Sequence, residues 1–479
     1  MNRLYRKLEN YSTGNIYPFH MPGHKRNPVS AKGEFPFDRD ITEIDGFDNL
    51  HHPEGILKEA QEAVSALYGS LECFYSINGS TAALLAAVSA SVKRGGKILM
   101  ARNCHKAVYH AVYLRNLVPV YIYPQTEPEF GINGGISPEN VDNLLAENPE
   151  IEAVLITSPT YDGIVSDVKQ IAEIVHSHEI PLIVDEAHGA HFRFSEYFPV
   201  SALELGADIV IHSLHKTLPS MTQTAVLHRC SERVEGDLLR RFMGIYQSSS
   251  PSYILMASMD ACMDKLSGDG RQMFRNYTGY LEYTRKRLTE CRYIRLIHPE
   301  KNGAAGIYDF DRSKLLFSVK GTSLTGRELY RTLLEEFHLQ MELETESYVL
   351  ALTSVGDTEE GFIRLCEAVE EIDRRESLKV PEKSNKNPLD GKNSYEVLKQ
   401  RMSVADAMEA PAEAYPLEKS IGKISAEFAY LYPPGIPILV PGEQITGLFI
   451  RNVRRYKEQG LDLQGLRDYT NESVYVVKE

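Results

Sequence analysis

Between Cys73 and His212, short apolar runs of strand length alternate with helix-forming segments, and this alternation constrains the fold more than any other feature. The strand-like runs are Cys73–Ile77, Lys97–Ala101, Pro119–Tyr123, Ala153–Thr157, Pro181–Val184 and Ala207–His212. Helical segments are read at Ile56–Tyr68 (stopped by Gly69), Ala82–Val92, Ala107–Asn116, Pro138–Ala146 and Val168–Ser177. Such alternation predicts a mostly parallel sheet covered on both faces by helices. Functional side chains then belong at the carboxyl ends of the strands. His105, Tyr161, Asp185, His188, Ser213 and Lys216 all fall there.

Three of these stretches carry chemistry. In Ser213-Leu214-His215-Lys216, a strand delivers one lysine to a turn, which suits an amine kept for covalent chemistry as well as a plain loop cation. In Val184-Asp185-Glu186-Ala187-His188, an apolar run ends in a carboxylate that either serves a site or caps a helix. In Asn78-Gly79-Ser80-Thr81, a strand turns into a helix through small polar residues. Backbone N–H groups and two hydroxyls then converge as an anion site, or Ser80 or Thr81 merely caps the helix.

Outside this region the chain divides by composition. Residues 1–50 read as an N-terminal arm, with a short helix at Leu4–Tyr11 and then prolines that forbid a long element. Its His20–Lys25 loop is polar, and Glu43, Asp45 and Asp48 form an acidic cluster more suited to solvent than to metal. Residues 51–290 are read as the large domain and 291–379 as a smaller α/β unit. The smaller unit has strands at Leu315–Val319 and Tyr348–Leu352 and helices at Gly326–Phe337 and Glu359–Arg374. In the large domain one helix opens after Gln247–Ser252, and a long amphipathic segment follows over Arg271–Glu290. A Lys-, Asn- and Pro-rich linker occupies 380–394, and a last domain spans 395–479.

The 52 basic and 66 acidic side chains give a net charge of -14, which argues against nucleic-acid binding. The six cysteines show no CxxC spacing, so neither a disulfide framework nor a zinc site is expected. A polar N-terminus and the lack of an 18-residue apolar run predict no signal peptide, no membrane span and a cytoplasmic protein. GxGxxG, Walker A and GxSxG patterns are absent, and Asp185, His188 and His191 make no closed metal set.

A pyridoxal phosphate site accounts for more of the pieces. It needs an amine (Lys216), an anion for the pyridinium (Asp185), a phosphate cradle (Asn78–Thr81) and a flat group over the ring (His105). The chain also resembles the bacterial ornithine/lysine/arginine decarboxylases of the aspartate-aminotransferase fold, in particular the short Gram-positive type. The resemblance covers nearly the whole chain. It rests on Phe19–Lys25, Asn78–Thr81, Arg102–Lys106, Asp185–Gly189, His212–Lys216, Ser249–Tyr253, and Tyr432–Pro437 with Pro441-Gly442-Glu443.

This resemblance implies an α/β fold of the pyridoxal-phosphate transferase type, with a smaller α/β subdomain and a C-terminal α+β domain. It implies that Lys216 carries the cofactor's aldehyde, Asp185 pairs with the ring nitrogen, and His105 stacks on one ring face with Ala187 on the other. His188 would lie near the ring hydroxyl. Ser80, Thr81, Ser213 and His215 would bind phosphate, joined by Ser248 or Ser249 of a neighbouring subunit, which makes a homodimer. Glu443, Asp45 and Asp48 are the candidates for reading the substrate's distal cation. The long relatives' N-terminal wing domain has no counterpart, so their decameric assembly is not expected. The expected reaction is decarboxylation of a basic amino acid, arginine before lysine and ornithine, with the proton returned to the α-carbon by Lys216 or His188. The alternatives are another reaction of this cofactor, such as transamination with a late arginine clamp, or an inactive cofactor-binding regulator.

Overall fold

The computed structural model describes residues 17–19, 43, 48–299, 301, 303–379, 396–431, 435–459 and 463–478. The expected Leu4–Tyr11 helix, the His20–Lys25 loop, Asp45, the linker and Tyr432–Pro434 lie outside the described residues.

The core of the large unit is a seven-stranded sheet: β1 (Glu72–Ser76), β2 (Lys97–Ala101), β3 (Val118–Ile122), β4 (Ile151–Thr157), β5 (Leu182–Asp185), β6 (Ile209–Ser213) and β7 (Ala225–Arg229). Their order is β1-β7-β6-β5-β4-β2-β3. The β3–β2–β4–β5–β6 neighbours are parallel, and only β7 runs antiparallel to its two partners. β2 to β7 have no exposed residue apart from the start of β3, as expected of strands covered on both faces.

Local chemistry sets the helices around it. α1 (Ile56–Tyr68) buries Leu57, Gln61, Val64 and Tyr68 along one stripe and ends at Gly69, whose φ of 79° suits a residue without a side chain. α2 (Gly79–Ser91) is rich in alanine and buried on most sides, so it packs close to the sheet. α3 (Lys106–Arg115) is capped by His105, α4 (Pro138–Glu147) by Ser137 with proline at its first turn, and α5 (Val168–Ser177) by Asp167. The short α6 (Leu214–Thr217) follows β6 directly, and α7 (Gly236–Tyr246) packs on α2.

α8 (Tyr253–Leu288) is one helix of 36 residues, where the sequence suggests two segments. Gly268 and Gly270 lie inside it. Their cost of about 1 kcal/mol each is outweighed by burial of Met259, Cys262, Leu266, Phe274, Tyr277 and Leu281 in a core shared with the second unit.

The second unit is an antiparallel sheet ordered β8-β9-β11-β10, built from β8 (Arg295–Leu296), β9 (Lys314–Ser318), β10 (Leu343–Glu344) and β11 (Tyr348–Leu352). α9 (Gly326–Glu335) starts with a Thr325/Glu328 capping box, and α10 (Glu359–Ser377) packs on α8. The last unit holds α11 (Val404–Glu409), β12 (Ala412–Pro416), β13 (Ala429–Leu431), β14 (Ile436–Leu439), α12 (Gly447–Gln459), β15 (Leu463–Gln464) and β16 (Ser473–Val477). It has a core of its own, yet Val404, Phe428 and Val440 join the core beneath α2 and α3. That packing places it beside the loop that carries His105.

Candidate active site

The ends of β2, β5 and β6 meet the start of α2. Asp185 is the last residue of β5, and Lys216 lies three residues beyond the end of β6, within α6. The Lys216 Nζ lies 3.1 Å from Nε2 of His188. Burial lowers the lysine's pKa, while Asp185 and then Glu342 pull it back up. Asp185 is buried, and its Oδ1 accepts the N–H of Ala187 at 3.1 Å. Burial raises its carboxyl, and Lys216 opposes the rise. Each partner thus favours the other's charged form.

Burial disfavours the charged forms of His105 and His188. Burial first, then Lys216, pushes His105 down to about 3 and drives His188 well below the usual histidine range. The Nδ1 of His105 accepts the N–H of Ala107 at 3.2 Å, so its proton sits on Nε2 and the ring is fixed as the cap of α3.

The α2 turn completes the arrangement. The Ser80 and Ser213 hydroxyls are 2.5 Å apart, which joins the helix start to the end of β6. Gly79 has a φ of 75°, the left-handed value a tight strand-to-helix turn requires. Gln223 Nε2 donates to the Ile77 carbonyl at 2.6 Å, and the Ile77 N–H donates to Gln247 Oε1 at 2.8 Å. The lysine loop and the anion turn are therefore tied together. Thr81, Ser248 and Ser249 are exposed, and the Ser248 N–H of the same chain donates to Asn78 Oδ1 at 3.2 Å. His215 Nδ1 donates to the Thr224 carbonyl at 2.9 Å, which fixes its ring.

Two sequence candidates for the distal cation are committed elsewhere. Glu443 is fully buried, 3.3 Å from Arg102, and accepts the Val440 N–H at 2.8 Å. The Asp48 carboxylate accepts the N–H groups of Asn49, Glu54, Gly55 and Leu57 and so fixes the start of α1. Both carboxylates thus already serve contacts within the chain. Asp45 lies outside the described residues. Two residues absent from the sequence candidates matter instead. Arg102 anchors the C-terminal unit next to the His105 loop. Glu342, from the second unit, accepts a hydrogen bond from the hydroxyl of Tyr161, whose ring packs edge-on against His188.

A buried amine, a buried carboxylate on the next strand and a hydroxyl-lined helix start fit pyridoxal phosphate. The buried His188 Nδ1 has no hydrogen-bond partner among the described residues, a polar atom left for a bound group. Fold and donor set thus define an enzyme of the pyridoxal-phosphate class. Residues 2–324 match the family model described as Orn/Lys/Arg decarboxylase, major domain, and residues 391–468 match its C-terminal domain. The chain belongs to the Orn/Lys/Arg decarboxylase family, is an amino-acid decarboxylase, and takes pyridoxal phosphate as cofactor.

An arginine decarboxylase of Bacillus subtilis is 35% identical over 99% of this chain and 98% of its own length. One of Halalkalibacterium halodurans is 34% identical over 97% and 95%. Among solved structures, lysine decarboxylase A from Pseudomonas aeruginosa shares the fold with a TM-score of 0.75 at 19% identity, covering 99% of this chain and 82% of that one. No helix among the described residues is long and apolar enough to cross a membrane.

Proposed function

We propose that the protein decarboxylates arginine, converting arginine and one proton into agmatine and carbon dioxide, as a step toward polyamines. The observation that carries the reading is the Lys216 amine beside His188, with the buried Asp185 held on the adjacent strand end. The arginine decarboxylases similar over the full chain support arginine ahead of lysine and ornithine. When bound, the cofactor supplies the electron sink for the bond that releases carbon dioxide.

Lys216 would hold the cofactor's aldehyde carbon, and its lowered pKa keeps more of the amine nucleophilic. Asp185 would hold the proton of the ring nitrogen by charge attraction. His105 and Ala187 would flank the ring. Ser80, Thr81, Ser213 and His215 would hold the phosphate. Lys216 or His188, whose nitrogens lie 3.1 Å apart, would return a proton to the α-carbon.

The late arginines that an aminotransferase would need for the α-carboxylate are engaged elsewhere. Arg312 donates to the Tyr197 carbonyl, Arg327 lies 3.9 Å from Glu344, and Arg364 donates to the Phe337 and His338 carbonyls. A carboxylate left poorly neutralised favours its loss.

We read the active form as a cytoplasmic homodimer in which Ser248 or Ser249 of one subunit reaches the other's phosphate site. The exposure of Thr81, Ser248 and Ser249 and the free state of all six cysteines support this. We read the chain as an arm (1–50), a cofactor domain (51–290), a small unit (291–379), a linker (380–394) and a C-terminal domain (395–479).

Borohydride reduction followed by peptide mapping tests the site, and the adduct should fall on Lys216 and vanish in Lys216→Ala. Carbon dioxide release should be fastest from arginine when arginine, lysine and ornithine are compared. Keto-acid formation without carbon dioxide would sink the reading.

A further inference from the structure

The loop after β4 pairs through its backbone with Asp309–Phe310 of the second unit, and two side-chain hydrogen bonds of opposite sense, from adjacent residues, add to that junction. The Tyr161 hydroxyl donates to Glu342, in the chain just before β10. The hydroxyl of Tyr348, the first residue of β11, donates back to Asp162 Oδ1 at 2.7 Å. The loop itself is rigid. The Thr160 N–H donates to the Ile164 carbonyl at 2.8 Å, and Gly163 closes the turn with a φ of 97°. A side chain at Gly163 would also meet Lys314 Cγ at 2.8 Å. Asp162 is further held by the N–H and side-chain amide of Asn133, both at 3.4 Å.

The two bonds differ in what lies behind them. Tyr348 and Asp162 are buried and bonded to each other. Tyr161 packs its ring edge-on against His188, with centroids 4.8 Å apart and planes at 65°. His188 in turn touches Lys216 at 3.1 Å. A phenol bonded to a carboxylate is held more firmly than one bonded to a neutral acceptor. Glu342 is also close enough to Lys216 to raise the lysine's pKa.

We propose that Tyr161 and Glu342 are positioning residues for the decarboxylation: Glu342 takes the Tyr161 hydroxyl and so holds the tyrosine ring against His188, keeping that histidine beside Lys216. The Tyr348–Asp162 bond joins the same two segments without acting on the site. The geometry at His188 is then completed only when the second unit is seated on the sheet domain. This rests on the assignment of Lys216 and His188 made above.

The test uses full-length holoenzyme carrying Tyr161→Phe, Glu342→Gln, both together, or Tyr348→Phe. The readouts are kcat and KM for the amino acid the wild type turns over, the visible circular dichroism of the bound cofactor, and Tm. Tyr161→Phe and Glu342→Gln should each lower kcat roughly 10-fold and weaken the dichroic band, with KM within about twofold. The double variant should be no worse than the poorer single. Tyr348→Phe should lower Tm and leave kcat and the band in place.

Unchanged kcat and dichroism in Glu342→Gln, which removes the charged acceptor that holds the phenol firmly, would overturn the proposal even if Tyr161→Phe failed to fold. So would a fall in Tm alone, matching Tyr348→Phe. Borohydride mapping of Tyr161→Phe separates the two layers of inference. An adduct on Lys216 leaves the kinetic and dichroic results to judge the positioning role alone, and an adduct on another lysine overturns both.

Discussion

The amine of Lys216 and the Nε2 of His188 stand 3.1 Å apart, and burial disfavours the charged form of each. An amine and an imidazole nitrogen within hydrogen-bond reach can pass a proton between them. His188→Gln keeps a polar group at this position but loses the imidazole. We expect kcat to fall by about 100-fold while the borohydride adduct still forms on Lys216, as read by single-turnover kinetics and peptide mapping. A variant with wild-type kcat would exclude His188 from proton transfer.

His105 extends the same logic to pH. Its folded pKa of about 3 lies below the usual histidine value, because burial and Lys216 both penalise the imidazolium. The unfolded chain therefore binds a proton near pH 6.5 that the folded chain refuses. Stability from this group is present above that pH and is lost as pH falls from about 6.5 toward 3, at roughly 1.4 kcal/mol per pH unit. Urea unfolding of His105→Asn between pH 7 and 5 should show a shallower loss than the wild type. An identical slope would mean that His105 titrates normally.

What could be read in the sequence was what local chemistry determines. The bounds of α1, α5, β2 and β11 follow from apolar period, capping residues and a terminal glycine, all within a few residues of each other. Lys216 and Asp185 were legible because each ends an apolar run. β7 was not, because it carries His228 and Arg229 inward. His228 Nδ1 meets Ser70 Oγ at 3.1 Å, and Arg229 donates to the Val234 carbonyl at 2.7 Å, so one of the two partners lies far away in sequence. The continuity of α8 was hidden by two glycines whose cost only tertiary burial outweighs. Glu342 and Tyr161 are 181 residues apart, and Arg102 and Glu443 are 341 apart, separations at which no local pattern operates.

The Arg102–Glu443 pair is buried on both sides, with 2% and 0% of the side chains exposed. Breaking one partner leaves a charge without compensation, at a cost of about 3–5 kcal/mol. Glu443→Ala should therefore lower stability by that order in urea unfolding, and Arg102→Met with Glu443→Leu should recover part of it. If Glu443 instead reads the substrate, Glu443→Gln will change the ratio of KM for arginine to KM for lysine. We expect that ratio to stay within about twofold.

Asp48 provides the matching test at the other end of the chain. Burial alone would raise its carboxyl, but four backbone N–H donors, two of them at the start of α1, outweigh it and hold the pKa at about 2. A lowered folded value means that the stabilisation is full above the unfolded pKa near 4 and is lost as pH falls through about 2. Asp48→Ala should cost about 0.5–2 kcal/mol at neutral pH, as other lost helix caps do, and its stability should fall less steeply than the wild type's between about pH 4 and 2. Because the carboxylate is spent on the helix, KM for arginine should be unchanged in the same variant. A rise in KM without a loss of stability would return Asp48 to the substrate site.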